Sequence, residues 1–184
     1  MATPTIERYT DVADDWRWRL VDTAEHVLAD GTTAHGTRAS LGAHLDRLRT
    51  LAPDVAVVAA DGVVVLIEPG SRPTAIDGTG TVLSRGPEVS GLAAAREAAE
   101  RAIAGDDAGW STSTADLAEA TVVEADPGVA VCHRGHDGEW RWQLRVDGRT
   151  VAESGEGYAD APTAREHAER TLEALPAAPT RTWG

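Results

Sequence analysis

The chain has 184 residues, enough for one ordinary domain or several very small ones. Acidic residues number 30 against 17 basic ones, every one an arginine, for a net charge of −13, and there is no lysine, asparagine or phenylalanine. That balance argues against nucleic acid as a partner, because phosphate affinity comes mostly from basic groups. The charges are scattered along the chain, as on a surface suited to molar salt, where the Debye length shrinks from roughly 10 Å at 0.1 M to roughly 3 Å at 1 M. A GC-rich genome would account for the arginine and alanine but not for the excess of carboxylates.

Residues 1–12 contain no apolar core of signal-peptide length. The longest apolar stretches, residues 55–60 and 62–67, are divided by Asp61 and fall far short of the ~18 residues a membrane span needs. Cys132 stands alone, so an intramolecular disulfide is excluded and a reducing, cytoplasmic setting is expected.

In chain order, residues 1–53 form a first unit. Its marked strand is Trp16-Arg17-Trp18-Arg19-Leu20, and its helix carries Leu41, Leu45, Leu48 and Leu51 on one face before Pro53 stops it. Residues 54–105 form a degenerate middle unit with an apolar strand at 63–67 where the first has tryptophan. It has about eight additional residues before its third strand, and its helix stripe is Leu92, Ala95, Ala99 and Ile103. Residues 106–128 are a polar linker with a short helix expected at 116–120.

The third unit is residues 129–176. A strand at 129–134 is followed by a turn at 136–138, then a strand at 140–146 with Asp147-Gly148 as a tight hairpin, and a third strand at 149–153. Gly155 and Gly157 are read as positions of positive φ. Asp160 is a candidate N-cap, Pro162 lies in the first helical turn, and Pro176 ends the helix. Residues 177–184 are a tail. Laying Trp140 over Trp16, an offset of 124, places Val151 on Val27, Gly155 on Gly31 and Leu172 on Leu48. An offset of 69 places Val151 on Val82 and residues 164–170 on 95–101. The expected fold class is therefore α+β, with tandem β-β-β-α modules, each an antiparallel sheet covered by one helix.

Alternation along a strand sends Trp16 and Trp18 to one face and Arg17 and Arg19 to the other. Trp140 and Trp142 are separated from Arg141 in the same way. Two readings remain: the indoles lie beneath the module's own helix, or they form an exposed aromatic platform for single-stranded nucleic acid.

The third unit has residues 138–144, Gly-Glu-Trp-Arg-Trp-Gln-Leu, followed by residues 154–158, Ser-Gly-Glu-Gly-Tyr. Along its whole length it resembles the YegP-like family, a short domain of uncharacterised function found singly or in tandem. The first unit resembles the family through residues 15–20 but has Asp-Gly-Thr-Thr-Ala at 30–34 in place of the loop. The middle unit lacks both motifs. The resemblance implies a β3α module completed by a second copy, with Trp16, Arg17, Trp18, Trp140, Arg141, Trp142, Gly155, Gly157 and Tyr158 as structural motif residues. It implies no enzyme activity, cofactor or catalytic residue.

Other candidates fail individually. Cys132 and His133 point to opposite faces, so with His136 they make a poor zinc site and no metal is expected. Residues 77–81, Asp-Gly-Thr-Gly-Thr, lack the lysine of a phosphate loop. His44, aligned on Ala168, reads as a boundary histidine. The charges at 96–101 and 165–170 read as a solvated helix face. The expectation is a non-enzymatic binding or assembly module without cofactor, with a nucleic-acid-associated protein as the alternative. The first and middle units are expected to pair internally and the third to pair with its copy in a homodimer. The rival arrangement pairs the two Trp-Arg-Trp units within one chain.

Overall fold

The computed structural model describes residues 3–60, 62–70, 72–106, 108–111 and 117–183. Strands β1 (Thr5–Thr10), β2 (Trp16–Val21) and β3 (Val27–Gly31) form an antiparallel meander. Its two polar turns are closed by the carboxylates of Asp11 and Asp22, which accept from the amides of Ala13 and Ala24. Helix α1 (Arg38–Leu51) starts at Thr37, whose side chain accepts from the Ser40 amide, and buries Leu41, Leu45 and Leu48. A 3-10 turn through Pro53 leads into β4 (Ala56–Ala59).

The middle segment runs β5 (Val64–Ile67), β6 (Thr74–Ile76), β7 (Val82–Arg85), α2 (Leu92–Ile103) and β8 (Thr121–Glu124). The last runs β9 (Val129–Arg134), β10 (Trp140–Val146), β11 (Arg149–Glu153), α3 (Ala161–Ala174), a 3-10 turn through Pro176, and β12 (Thr180–Thr182). Asp147 and Gly148 make the tight hairpin with φ of 50° and 73°. Asp160 caps α3 by accepting from the Thr163 amide at 2.8 Å. All three segments place a β-bulge in their second strand, between Leu20 and Val21, Ala75 and Ile76, and Leu144 and Arg145.

The first and last segments share one eight-stranded sheet, ordered β12-β1-β2-β3-β11-β10-β9-β4. The join is antiparallel, with Gly31 opposite Ala152 and Asp30 opposite Glu153. Thr32 reinforces it, its amide donating to the Val151 carbonyl at 3.2 Å and its hydroxyl to the Thr150 carbonyl at 2.6 Å. At the outer edges the closing strands are exchanged: β4, which follows α1, runs parallel to β9, and β12, which follows α3, runs parallel to β1. A single core under both helices joins Trp18, Leu20 and Leu45 to Trp142, Leu144 and Ala168.

The middle segment forms its own sheet, β7-β6-β5-β8, closed by its own last strand parallel to its first. One face, with Val65, Ile67 and Ala75, packs beneath Ala95, Ala99 and Ala102 of α2. The other, with Val64, Leu66 and Ile76, lies against Val129 and Val131 on the outward side of β9. Burial on both faces explains why β5 reads as an unbroken apolar run. The interface also holds the Glu68–Arg145 ion pair at 3.3 Å, and the Gly148 amide donates to Glu68 at 3.0 Å. The turn at 77–80 is seated here too, its Gly78 carbonyl accepting from the Arg134 amide at 2.7 Å.

Several expectations are corrected. The strand at 55–60 does not open the middle segment; Pro53 turns the chain so that β4 completes the sheet beside β9. The first segment pairs with the last, not with the middle one. The corresponding edge of the middle segment, β7, is met instead by Ser111, which takes the Arg85 amide on its hydroxyl at 2.9 Å and donates its own amide to the Arg85 carbonyl at 2.9 Å. Each sheet is expected to be antiparallel and covered by one helix; instead the large sheet is mixed, with parallel strands at both edges, and shared by two helices. The last segment has β11 paired with β3 and β9 with β4, so both outer strands of its meander are paired within the chain. The short helix expected at 116–120 begins at Asp116, outside the described residues; Leu117 is buried.

Candidate functional site

Trp18 and Trp142 are each 1% exposed and sit in the shared core, while Trp16 and Trp140 are half-buried against it. Arg17 and Arg141 lie on the opposite face. Arg17 bonds to Asp11 at 2.9 Å, and Arg141 forks onto Asp137 at 2.7 and 2.8 Å, holding that carboxyl down to about 2. Trp16, Trp18, Trp140 and Trp142 form no exposed platform, because the helices occupy their side of the sheet.

Gly155 and Gly157 do not take positive φ. They are glycines because the backbone packs too closely for a side chain: a Cβ at Gly155 would run into the Val27 carbonyl and stand 2.6 Å from its Cγ1, and one at Gly157 would meet the Glu139 side chain. Tyr158 is buried and bridges to Trp140 through two 2.7 Å backbone hydrogen bonds. Burial, then Glu156, pushes its hydroxyl up to about 12. Cys132 is buried in the same core, which pushes its thiol up to about 12 and leaves it unreactive. Among the described residues no three His, Cys, Asp or Glu side chains are grouped to hold a metal. No helix among them is long and apolar enough to cross a membrane.

The two joined segments correspond at an offset of 123, not 124, from the loop onward, because that loop is one residue shorter in the last segment. The N-caps Thr37 and Asp160 set this register. His44 is therefore the counterpart of His167, not of Ala168. The rings of His35 and His44 approach to 4.8 Å, and those of Tyr158 and His167 to 4.5 Å at the equivalent place. Burial, then the charges of His35 and Arg47, depresses His44 to about 4, so it is neutral at pH 7.

Two features escaped the sequence reading. The first is the outward face of β1, β2 and β12. Glu7, 2% exposed, is gripped by Arg19 at 2.6 Å and by Arg181. Burial pushes this carboxyl up, but the hydrogen bonds from Arg181 and Arg19 outweigh it and hold it below the usual range. Arg19 lies over Tyr9 and Arg181 over Trp183. The counterparts of Glu7, Arg19 and Arg181 in the last segment are Val131, Gln143 and Val58. Val131 and Val58 belong to the apolar cluster beneath the middle sheet, which covers that side. The alternation of Ile6 and Glu7 signalled this face, but only β12, read as a tail, completes it.

The second feature is a pair of clefts, one where each helix overhangs the other segment's hairpin. Beside α1 a cavity of about 390 Å³ is lined by His44, Arg47 and Leu48 together with Val146, Asp147 and Arg149. Beside α3 one of about 440 Å³ is lined by His167, Arg170 and Glu173 together with Asp22 and Leu28.

No family model and no curated protein matches the chain. Among solved structures it is similar to a UPF0339 protein from Shewanella oneidensis, with a TM-score of 0.50 at 6% identity, covering 98% of this chain and 91% of that one. The fold is YegP-like. The chain is also similar to the protein of unknown function yegP from E. coli, with a TM-score of 0.49 at 10% identity, covering 100% of this chain and 97% of that one. At such identities the YegP-like likeness concerns fold alone.

Proposed function

We propose that the chain is a non-catalytic binding module, made of three copies of one strand-and-helix unit and working in a salt-rich cytoplasm. In this reading it presents the outward face of its first unit to a partner protein. One observation carries the reading. The middle sheet covers the outward face of the last segment with valine, leucine and isoleucine, whereas the equivalent face of the first segment carries Tyr9, Arg17, Arg19, Arg181 and Trp183 uncovered.

Glu7 is shared by Arg19 and Arg181, so that trio carries one net positive charge in a strongly acidic chain. Both arginines keep 43% of their side-chain surface, and Trp183 is 52% exposed. The matching partner is a protein segment with carboxylates beside an apolar residue, the carboxylates taking the free edges of the guanidinium groups. The test compares wild type with an R17E/W183A variant in molar KCl: partners are retained, identified, purified and titrated calorimetrically. Binding at least tenfold weaker to the variant supports the proposal. Equal affinity for both overturns it. Retention abolished by nuclease would instead support the nucleic-acid alternative.

A further inference from the structure

The cleft between α1 and the β10–β11 hairpin is independent of the outward face. It is built from two segments, so it exists only because the first and last parts of the chain are joined. Arg149 is exposed on its rim and has no ion-pair partner among the described residues. Arg47 faces it from the helix and is held by Asp147 at 2.5 Å. Two guanidinium groups and one carboxylate give this cleft a net positive charge, against −13 for the chain. Its wall is apolar, made by Leu48, Val146 and Val151, and Thr33 adds a hydroxyl.

The counterpart beside α3 is the built-in comparison. There Asp22 and Glu173 line the cavity, and the single arginine, Arg170, is taken by Glu166 of its own helix. One fold has therefore produced the same cleft twice with opposite charge. A cavity of about 390 Å³ falls within the range of small-molecule sites. A guanidinium fork without a carboxylate is free to donate its N–H groups to an oxyanion.

We infer that the cleft beside α1 binds a small organic anion, an oxyanion head on a short apolar body, with Arg149 and Arg47 on the head and Leu48 and Val151 against the body. The test titrates the full-length protein with phenyl phosphate, hexanoate and inorganic phosphate, followed by amide and arginine side-chain NMR shifts. Saturable binding of phenyl phosphate or hexanoate is expected, with shifts at residues 44–48 and 146–151 and affinity at least tenfold weaker in Arg149→Gln. Arg149 is exposed, so that variant keeps the fold; Arg170→Gln in the counterpart cleft is expected to leave affinity unchanged. Whether phenyl phosphate or hexanoate binds tighter identifies the head group. Absence of saturation, binding no tighter than that of inorganic phosphate, or binding indifferent to Arg149→Gln would each overturn the inference.

Discussion

Exchanging the outward residues of the two joined segments is expected to have very unequal effects. Val131 is fully buried between β9 and the middle sheet, among Val64, Leu66 and Ile76. Val131→Asp removes an apolar side chain worth about 1.5–2 kcal/mol and sets a carboxyl among aliphatic groups. The nearby Arg145 is already committed to Glu68 and to the Gly148 carbonyl. Keeping that carboxyl neutral at pH 7 requires a pKa raised by three or more units, a further cost of about 4 kcal/mol. The sum, about 5–6 kcal/mol, rivals the whole stability of many small domains. The middle sheet should detach, or the chain unfold. The reciprocal change, Glu7→Val, strands two arginines that water already reaches and should cost under about 1.5 kcal/mol. Urea unfolding in molar KCl, followed by circular dichroism and tryptophan emission, measures both. A Val131→Asp protein within about 1 kcal/mol of wild type would refute the account of the interface.

Gly155→Ala should lower stability by about 2–4 kcal/mol, because its Cβ would force the loop after β11 away from Val27 of β3, while Gly36→Ala, with open space around it, should be neutral in the same urea titration. His44 is depressed to about 4 when folded and titrates near 6.5 when unfolded, so its contribution is complete above pH 6.5 and is lost as pH falls towards 4. That loss is at most about 3 kcal/mol, and His44→Leu should flatten the stability profile in this window; a parallel profile would remove the argument. The carboxylate excess should make the melting temperature fall as KCl is reduced from molar to about 0.1 M, and a flat or rising melting temperature would refute salt adaptation.

Local chemistry was legible in the sequence wherever one residue type dictates one geometry. Asp147-Gly148 is the hairpin and Asp160 is the cap, and the strands around Trp16 and Trp140 alternate as their spacing requires. Long-range pairing was not. Thr180–Thr182 is short and polar, and nothing in its pattern says that it lies beside β1. Residues 55–60 look like a strand, but their partner sits more than seventy positions on, and apolar alternation names no partner. The single-residue deletion before Asp160 moved the apparent counterpart of His44 by one place, which hid the pairing of its ring with His35. Gly155 and Gly157 were recognised as special for the wrong reason, since close approach and positive φ leave the same mark on a sequence.

The exchange of β4 and β12 also shapes how the protein must be made. Glu7 and Arg181 meet across 174 positions, and β1 gains its outer neighbour only when β12 has left the ribosome. Until β10 and β11 follow, the nascent first segment has a core missing Trp142 and Leu144 and an open edge at β3, and until β12 follows it has an open outer edge at β1. A chain stalled or cleaved before residue 180 would carry exposed strand edges of the kind that recruit other chains. Synthesis of this protein is therefore a long wait with an unfinished sheet, ended by a three-residue strand.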